Sequence, residues 1–268
     1  MTRDDFEYYV PSAVMPDETL FERIAEQLSE GETAVKSLLG SDLYAEREED
    51  LTLLNQCKRM ACLTAYKLAI PHLDLVLTEN GFGVVSNQNV APASAERVNR
   101  LRQQVQFALD DTIDELLDYL RGNELWVNTQ VAVEVFRSLA WNGRLQLVYF
   151  GVSNGHRSTL DELRPKISAA EAKVQHCISP EFYQELCDAV RLDTATAMQS
   201  TAIHKILMTV GADATDDNGM AHFHVKKLVE WLDGNIRSFP TYANSTAYAA
   251  NTFEPYKNEK DDPCYFFG

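Results

Sequence analysis

The chain has no run of about 18 consecutive apolar residues, and its first residues, Met-Thr-Arg-Asp-Asp-Phe-Glu, carry no apolar leader core. Neither a membrane-spanning helix nor a secretory leader is expected, which places its assembly in a cytosol. Cysteine is scarce: Cys57, Cys62, Cys177, Cys187 and Cys264 make an odd set with no Cys-x-x-Cys pair. That argues against a disulfide framework or a structural zinc site. Cys57 and Cys62 fall inside an apolar helical pattern, where a free thiol packs as a small hydrophobe. Gly81-Phe-Gly83 lacks the following lysine that a phosphate cradle needs. Positive charge is short as well, with 24 Lys and Arg against 40 Asp and Glu, net −16. Residues 1–123 hold −11 of this and residues 124–268 hold −5. Such a surface repels phosphate and argues against a broad face that grips nucleic acid. Two readings of the excess stand: solubility, and a wall past which DNA slides without sticking.

What is present is helical periodicity. Residues 1–16 read as an extended arm, with Tyr8, Tyr9 and Val10 in no helical register and Pro11 and Pro16 favouring an extended path. A first unit, 17–123, opens with a helix carrying Leu20, Phe21, Ile24, Ala25 and Leu28 on one face; Gly31 is a point of interruption and Gly40 a stop. Leu54, Cys57, Ala61, Ala65 and Leu68 mark a second helix over about 46–69, with Glu46, Glu48, Glu49 and Asp50 in its first turns and Pro71 ending or bending it. A small hairpin near 77–86 is expected to turn at Asn80-Gly81. Ser94 caps the longest helix, about 95–121, where Val98, Leu101, Val105, Leu109, Ile113, Leu116 and Leu120 form the apolar stripe. Asp110, Asp111, Asp114, Glu115 and Asp118 cover its other faces.

A second unit spans 124–237. Leu125–Trp141 is apolar enough for a helix, although Val131, Val133 and Val135 alternate as in a strand. Leu145–Phe150 is β-like. Thr159-Leu-Asp-Glu162 resembles a capping box, Ser179-Pro180 opens another helix, and further helices fit 192–210 and 221–237. Ser41-Asp-Leu-Tyr44 and Ser179-Pro-Glu-Phe-Tyr183 lead into similar series, which reads either as a duplication or as two unrelated helical sets. The fold class is mainly α: an amphipathic helix bundle with a small hairpin and extended terminal arms.

Gly151-Val-Ser153-Asn-Gly155 fits the pattern of a hydrolase nucleophile elbow, with Asp193, Asp213, His204 and His222 as candidate partners. The elbow needs a strand-to-helix turn on a βαβ sheet, and the mostly helical context supplies none, so serine hydrolase stands as an alternative only. His222-x-His224 lacks a third ligand and puts its rings on different helix faces. The loop at Asp213–Gly219 has Ala214 and Val225 where a calcium loop needs carboxylates. No catalytic, cofactor or metal residue is assigned. Residues 238–268 instead string Phe239, Tyr242, Tyr248, Phe253, Tyr256, Tyr265, Phe266 and Phe267 through a polar segment, an aromatic tail expected to dock on its own domain or on a neighbour.

The run Leu77-Thr-Glu-Asn-Gly-Phe-Gly-Val-Val-Ser-Asn-Gln-Asn-Val-Ala-Pro-Ala-Ser-Ala-Glu-Arg-Val98 resembles a segment of an uncharacterised family encoded in Bacteroides phages and prophages, crAss-like phages among them, beside virion structural genes. The resemblance covers about 25 residues and carries no catalytic residue. It implies a virion neck or head–tail connector protein, assembled in the host cytoplasm, whose helical subunits close a homo-oligomeric ring, a dodecamer in form. Portal and other neck or tail proteins would be its partners, DNA would pass through without tight binding, and no membrane would be involved. Contacts are then expected from Tyr8, Tyr9, Asn80, Gly81, Phe82, Phe253, Tyr256, Tyr265, Phe266 and Phe267. A cytosolic helical adaptor unrelated to phage would share the composition.

Overall fold

The computed structural model describes residues 1–10, 18–74, 76–78, 81–83, 93–215 and 218–252. The chain is mainly helical: α1 (Arg3–Tyr9), α2 (Glu18–Leu39), α3 (Ser41–Glu46), α4 (Leu51–Asp74), α5 (Ala95–Leu120), α6 (Gln130–Val135), α7 (Arg157–Ile178), α8 (Pro180–Arg191), α9 (Ala197–Ala214), α10 (Asn218–Gly234), α11 (Pro240–Ala243) and α12 (Thr246–Asn251). Between α4 and α5, β1 (Val76–Thr78) pairs antiparallel with β2 (Gly81–Gly83). Thr78 lies opposite Gly81, so Gly81 sits in the ladder and not in the turn expected for it. Asn80 and residues 84–86 lie outside the described residues.

Buried apolar side chains fall into two clusters, one from Phe6 to Phe136 and one from Leu139 to Tyr242. In the first, α4 packs between α2 and α5. It is buried on several sides, through Leu53, Met60, Cys62, Tyr66 and Ile70 as well as Cys57, Ala61 and Ala65, while Leu68 is exposed. The helix starts later than its acids suggest because the Asp50 side chain accepts the Thr52 and Leu53 amides at 2.9 and 3.1 Å. Glu46, Glu48 and Glu49 belong to α3 and a 3-10 turn before it. Pro71 removes one donor from the last turn, and α4 runs on to Asp74.

Gly31 does not interrupt α2. A Cβ there would meet the Ala61 carbonyl oxygen at 2.2 Å, so the missing side chain lets α4 approach backbone to backbone. Gly31→Ala would gain about 0.5–1 kcal/mol of helix preference but force two helices apart. The clash, at about 1–3 kcal/mol for overpacking, outweighs the gain. The variant should melt several degrees below the parent, and an unchanged melting temperature would refute the close approach.

The N-terminal residues depart from the extended arm. Thr2 Oγ1 accepts the Asp5 amide at 3.2 Å and Asp5 accepts the Thr2 amide at 3.0 Å, a capping box that starts α1. Phe6 is buried edge-on against Tyr66 and Phe21, at 5.9 and 6.3 Å between ring centres. Lys58 bonds Asp5 at 3.0 Å and holds its carboxyl, already stabilised by the Thr2 amide, below the usual value. One buried aromatic per turn was too sparse a period to read.

In the second cluster, residues 144–150 form a 3-10 helix, not a strand. Leu147 and Phe150 are buried at a spacing of three while Leu145 and Val148 stand 80% and 66% exposed, which is a 3-10 period and not an alternation. Helix α7 starts at Arg157 with His156 as its cap residue; Thr159, the expected cap, lies one turn inside the helix, where its hydroxyl accepts the His156 amide at 3.3 Å. Ser179 does cap α8, accepting the Phe182 amide at 3.2 Å, with Pro180 in the first position. Ser41, its expected counterpart, is the first residue of α3 after a Gly40 cap, so the two serines play different parts. Leu125–Trp141 is helical only over α6.

The C-terminal tail is folded as far as residue 252. Phe239 and Tyr242 are fully buried, 5.3 and 5.8 Å from the Phe182 ring, and Asn251 donates to the Cys177 carbonyl at 3.2 Å. These contacts dock α11 and α12 on α7 and α8, where an extended segment was expected. Residues 253–268 lie outside the described residues.

Candidate interaction surfaces and a buried carboxylate cavity

The two clusters meet along α5. Asp110, 3% exposed, accepts the Ser158 amide at 3.0 Å and the Gln106 amide nitrogen at 2.6 Å. Asp111 binds the Arg144 guanidinium and lies 3.3 Å from His156 Nδ1, whose ring stacks on Phe107 at 3.8 Å. Asp114 accepts the Arg144 amide at 2.9 Å and Arg157 at 2.7 Å. The N-terminus of α7, where the helix dipole is positive, thus abuts the α5 acids. Beyond the end of α5, Arg121 donates to the Val190 carbonyl at 3.0 Å and to Asp193 at 2.8 Å, and the Gly122 amide reaches the Arg191 carbonyl at 3.2 Å. Asp110 is therefore buried in the seam between the clusters, and Asp111 and Asp114 are half-buried along it, paired with Arg144 and Arg157, where their spacing suggested free surface positions. Glu115 and Asp118 are more exposed and pair with Arg59 and Arg121. On α2, Glu22, Glu26 and Glu30 are exposed at a spacing of four, with no ion pair among the described residues.

Of the residues expected to make contacts, Tyr8 is 77% exposed and Tyr9 bonds Asn55 at 2.9 Å. Gly81 and Phe82 form part of β2. Asn80, Phe253, Tyr256, Tyr265, Phe266 and Phe267 lie outside the described residues. Ser153 is exposed between the 3-10 helix, closed by Gly151 at φ 74°, and α7. Its expected partners are engaged apart from it: His204 with the Tyr149 hydroxyl at 2.8 Å, Asp213 with Lys173 at 2.6 Å and Asp193 with Arg121. His222 is exposed on α10. Burial pushes the Cys57 and Cys62 thiols up to about 12 and raises Cys187 as well, so these thiols stay protonated and unreactive. Among the described residues, no three His, Cys, Asp or Glu side chains are placed to hold a metal, and no helix is long and apolar enough to cross a membrane.

A site without a sequence motif lies where α7 and α8 meet the segment before the 3-10 helix. Glu171 is 6% exposed, and its Oε1 accepts from Ser138 Oγ at 2.7 Å, the Ala140 amide at 3.1 Å and the Tyr183 hydroxyl. Tyr183 accepts in turn from the Leu139 amide at 3.0 Å. Burial raises the Glu171 carboxyl above the usual range although these donors oppose it, and burial with the adjacent carboxylate holds the Tyr183 phenol well above its own. Glu171 lines a cavity of about 370 Å³ together with Trp141, Arg164 and Arg137. The Arg164 guanidinium lies 4.1 Å over the Trp141 ring. The sequence held one signal for it: Glu171 interrupts the apolar phase Ile167, Val174, Ile178 on α7.

The model described as "Family of unknown function (DUF6712)" matches residues 14–134 and 214–252, more than half of the chain. No curated protein and no solved structure matches.

Proposed function

We propose that this chain, which belongs to the DUF6712 family of unknown function, is a structural subunit of a tailed-phage virion. In this reading it forms a neck or head–tail connector ring, a dodecamer, joining portal to tail around the DNA channel. The observation that carries it is the segment Leu77–Val98, which resembles phage-encoded proteins found beside virion structural genes and which runs through the β1–β2 ladder into α5. The channel-facing role moves with the geometry. The α5 acids Asp110, Asp111 and Asp114 bind the second cluster, whereas Glu22, Glu26 and Glu30 on α2 remain free to repel DNA as it slides past. Ring closure needs a heterologous contact, one patch of each subunit against a different patch of the next. In this reading Tyr8, the β1–β2 ladder and residues 253–268 make contacts with neighbouring subunits.

Mixed with a tailed-phage portal protein, the full chain should form closed rings visible by electron microscopy. Deleting residues 253–268 together with Tyr8→Ser should leave monomers. A chain that stays monomeric beside portal, in a phage that assembles normally with both changes, would overturn the reading.

A further inference from the structure

The two apolar clusters are contiguous in sequence, the first ending at Phe136 and the second beginning at Leu139, so among the described residues the chain passes between them once. Phe136 is buried in the first, its amide donating to the Ala132 carbonyl at 3.0 Å. Ser138 and the Leu139 and Ala140 amides are held in the second, on Glu171 and Tyr183. Exposed Arg137 is the link between the two anchored ends. Its carbonyl meets the Cys187 thiol at 3.5 Å, so the turn between the clusters falls at the Phe136–Arg137 step.

What else joins the clusters is mostly polar. Asp110, Asp111 and Asp114 on α5 hold the Ser158 amide, Arg144 and Arg157, while Arg121 and Gly122 reach Val190, Asp193 and Arg191. Arg191 in turn donates to the Val127 carbonyl. Val190 alone among the described apolar side chains packs on both clusters, and Phe107 adds its stacked contact with the His156 ring. The seam is also incompletely filled. A cavity of about 290 Å³ is lined by Leu117 and Phe136 from the first cluster and by residues 142–146 and Val190 from the second. Gln146 Oε1 is buried there with no hydrogen-bond partner among the described residues, which costs the closed form stability. Ion pairs that exchange water for protein hold two bodies together weakly, and an interface without a large apolar area permits relative motion. Each core, by contrast, is continuous apolar packing that opens only by meeting water.

We propose that the clusters are two lobes that swing apart about Arg137 and reclose with both cores intact, the charged seam acting as the latch. Such a latch opens as a unit. Weakening it at Asp114 must therefore loosen Gly122, at the other end of the seam, although the two residues share no bond. Independent fraying of the α5 and α7 ends would couple nothing. The hinge rests on the seam alone and holds whatever the chain assembles with.

Residue-resolved hydrogen exchange on the full chain, labelled with ¹⁵N, tests this. The Arg144 and Ser158 amides, bonded to Asp114 and Asp110, report one end of the seam, and the Gly122 amide, bonded to the Arg191 carbonyl, reports the other. In the parent these three should exchange about a hundredfold or more faster than amides of the two cores, such as those of Cys62 and Ile206, which are fully buried. Asp114→Asn, which weakens the bonds to Arg144 and Arg157, should speed Gly122 about tenfold. Arg121→Gln should speed Arg144 and Ser158 by a similar factor. In both variants the core amides should stay far slower than the seam. A circular dichroism spectrum like the parent's checks each fold; if one variant fails to fold the other decides, and the comparison within the parent stands in any case. Changes confined to the mutated end would mean that the helix ends fray separately, and would overturn the proposal. So would seam amides that exchange at the rate of the cores, because the molecule would then open only by unfolding.

Discussion

Trp126→Ala is expected to destabilise the protein by about 3–5 kcal/mol, the largest effect of any single truncation in the first cluster. Trp126 is fully buried and lies edge-on to Phe136, 6.1 Å between ring centres. Its Nε1 donates to the Leu38 carbonyl at 2.8 Å. That carbonyl belongs to the last turn of α2, where backbone acceptors have no helical partner of their own. Alanine therefore opens a large void and strands an acceptor in the same place. Trp126→Phe separates the two losses, because it fills much of the volume and removes only the hydrogen bond, at about 1–3 kcal/mol. Urea unfolding followed by circular dichroism measures both. An alanine variant within about 1 kcal/mol of the parent would mean that α2 is not tied to the segment after α5 through this side chain.

Glu171→Ala should cost a similar amount, about 3–5 kcal/mol, because it leaves several buried donors without their acceptor. The Ser138 hydroxyl, the Ala140 amide and the Tyr183 hydroxyl all lose Oε1 at once. Glu171→Gln keeps an oxygen in that position and should cost only about 1 kcal/mol. The pH dependence has a definite sign. Burial raises the folded-state carboxyl above its unfolded value, so the fold favours the protonated form. The contribution of Glu171 to stability is greatest below the unfolded value and falls as pH rises through the raised folded one. The gap in unfolding midpoint between parent and Glu171→Gln should therefore change across the weakly acidic range in favour of the glutamine variant. A constant gap would place the carboxylate in water and contradict its burial.

Much of α5 was legible in the chain. Ser94 and the stripe Val98 to Leu120 are local signals, and Val105, Leu109, Leu116 and Leu120 are buried as their spacing requires. Ser179-Pro180 was equally local, because a cap and a proline at the first helical position act within one turn. Local periodicity failed where the period was short or shared. Leu145–Phe150 has too few residues to tell alternation from a step of three. The N-terminal helix rests on one buried ring, Phe6.

By itself the sequence determined the helical class, the acidic balance and the main helix registers, because these depend on neighbours three or four residues apart. Only the tertiary structure decided which polar residues are spent inside. Asp110 and Glu26, both acids on helices, read alike as residues, yet Glu26 is exposed and Asp110 is buried against the α7 N-terminus, which lies 48 positions on at Ser158. Glu171 accepts from Ser138, 33 positions away, and Gly31 is required by Ala61 on a different helix. Such pairings join residues that no local period connects; they exist only once packing has chosen which faces meet.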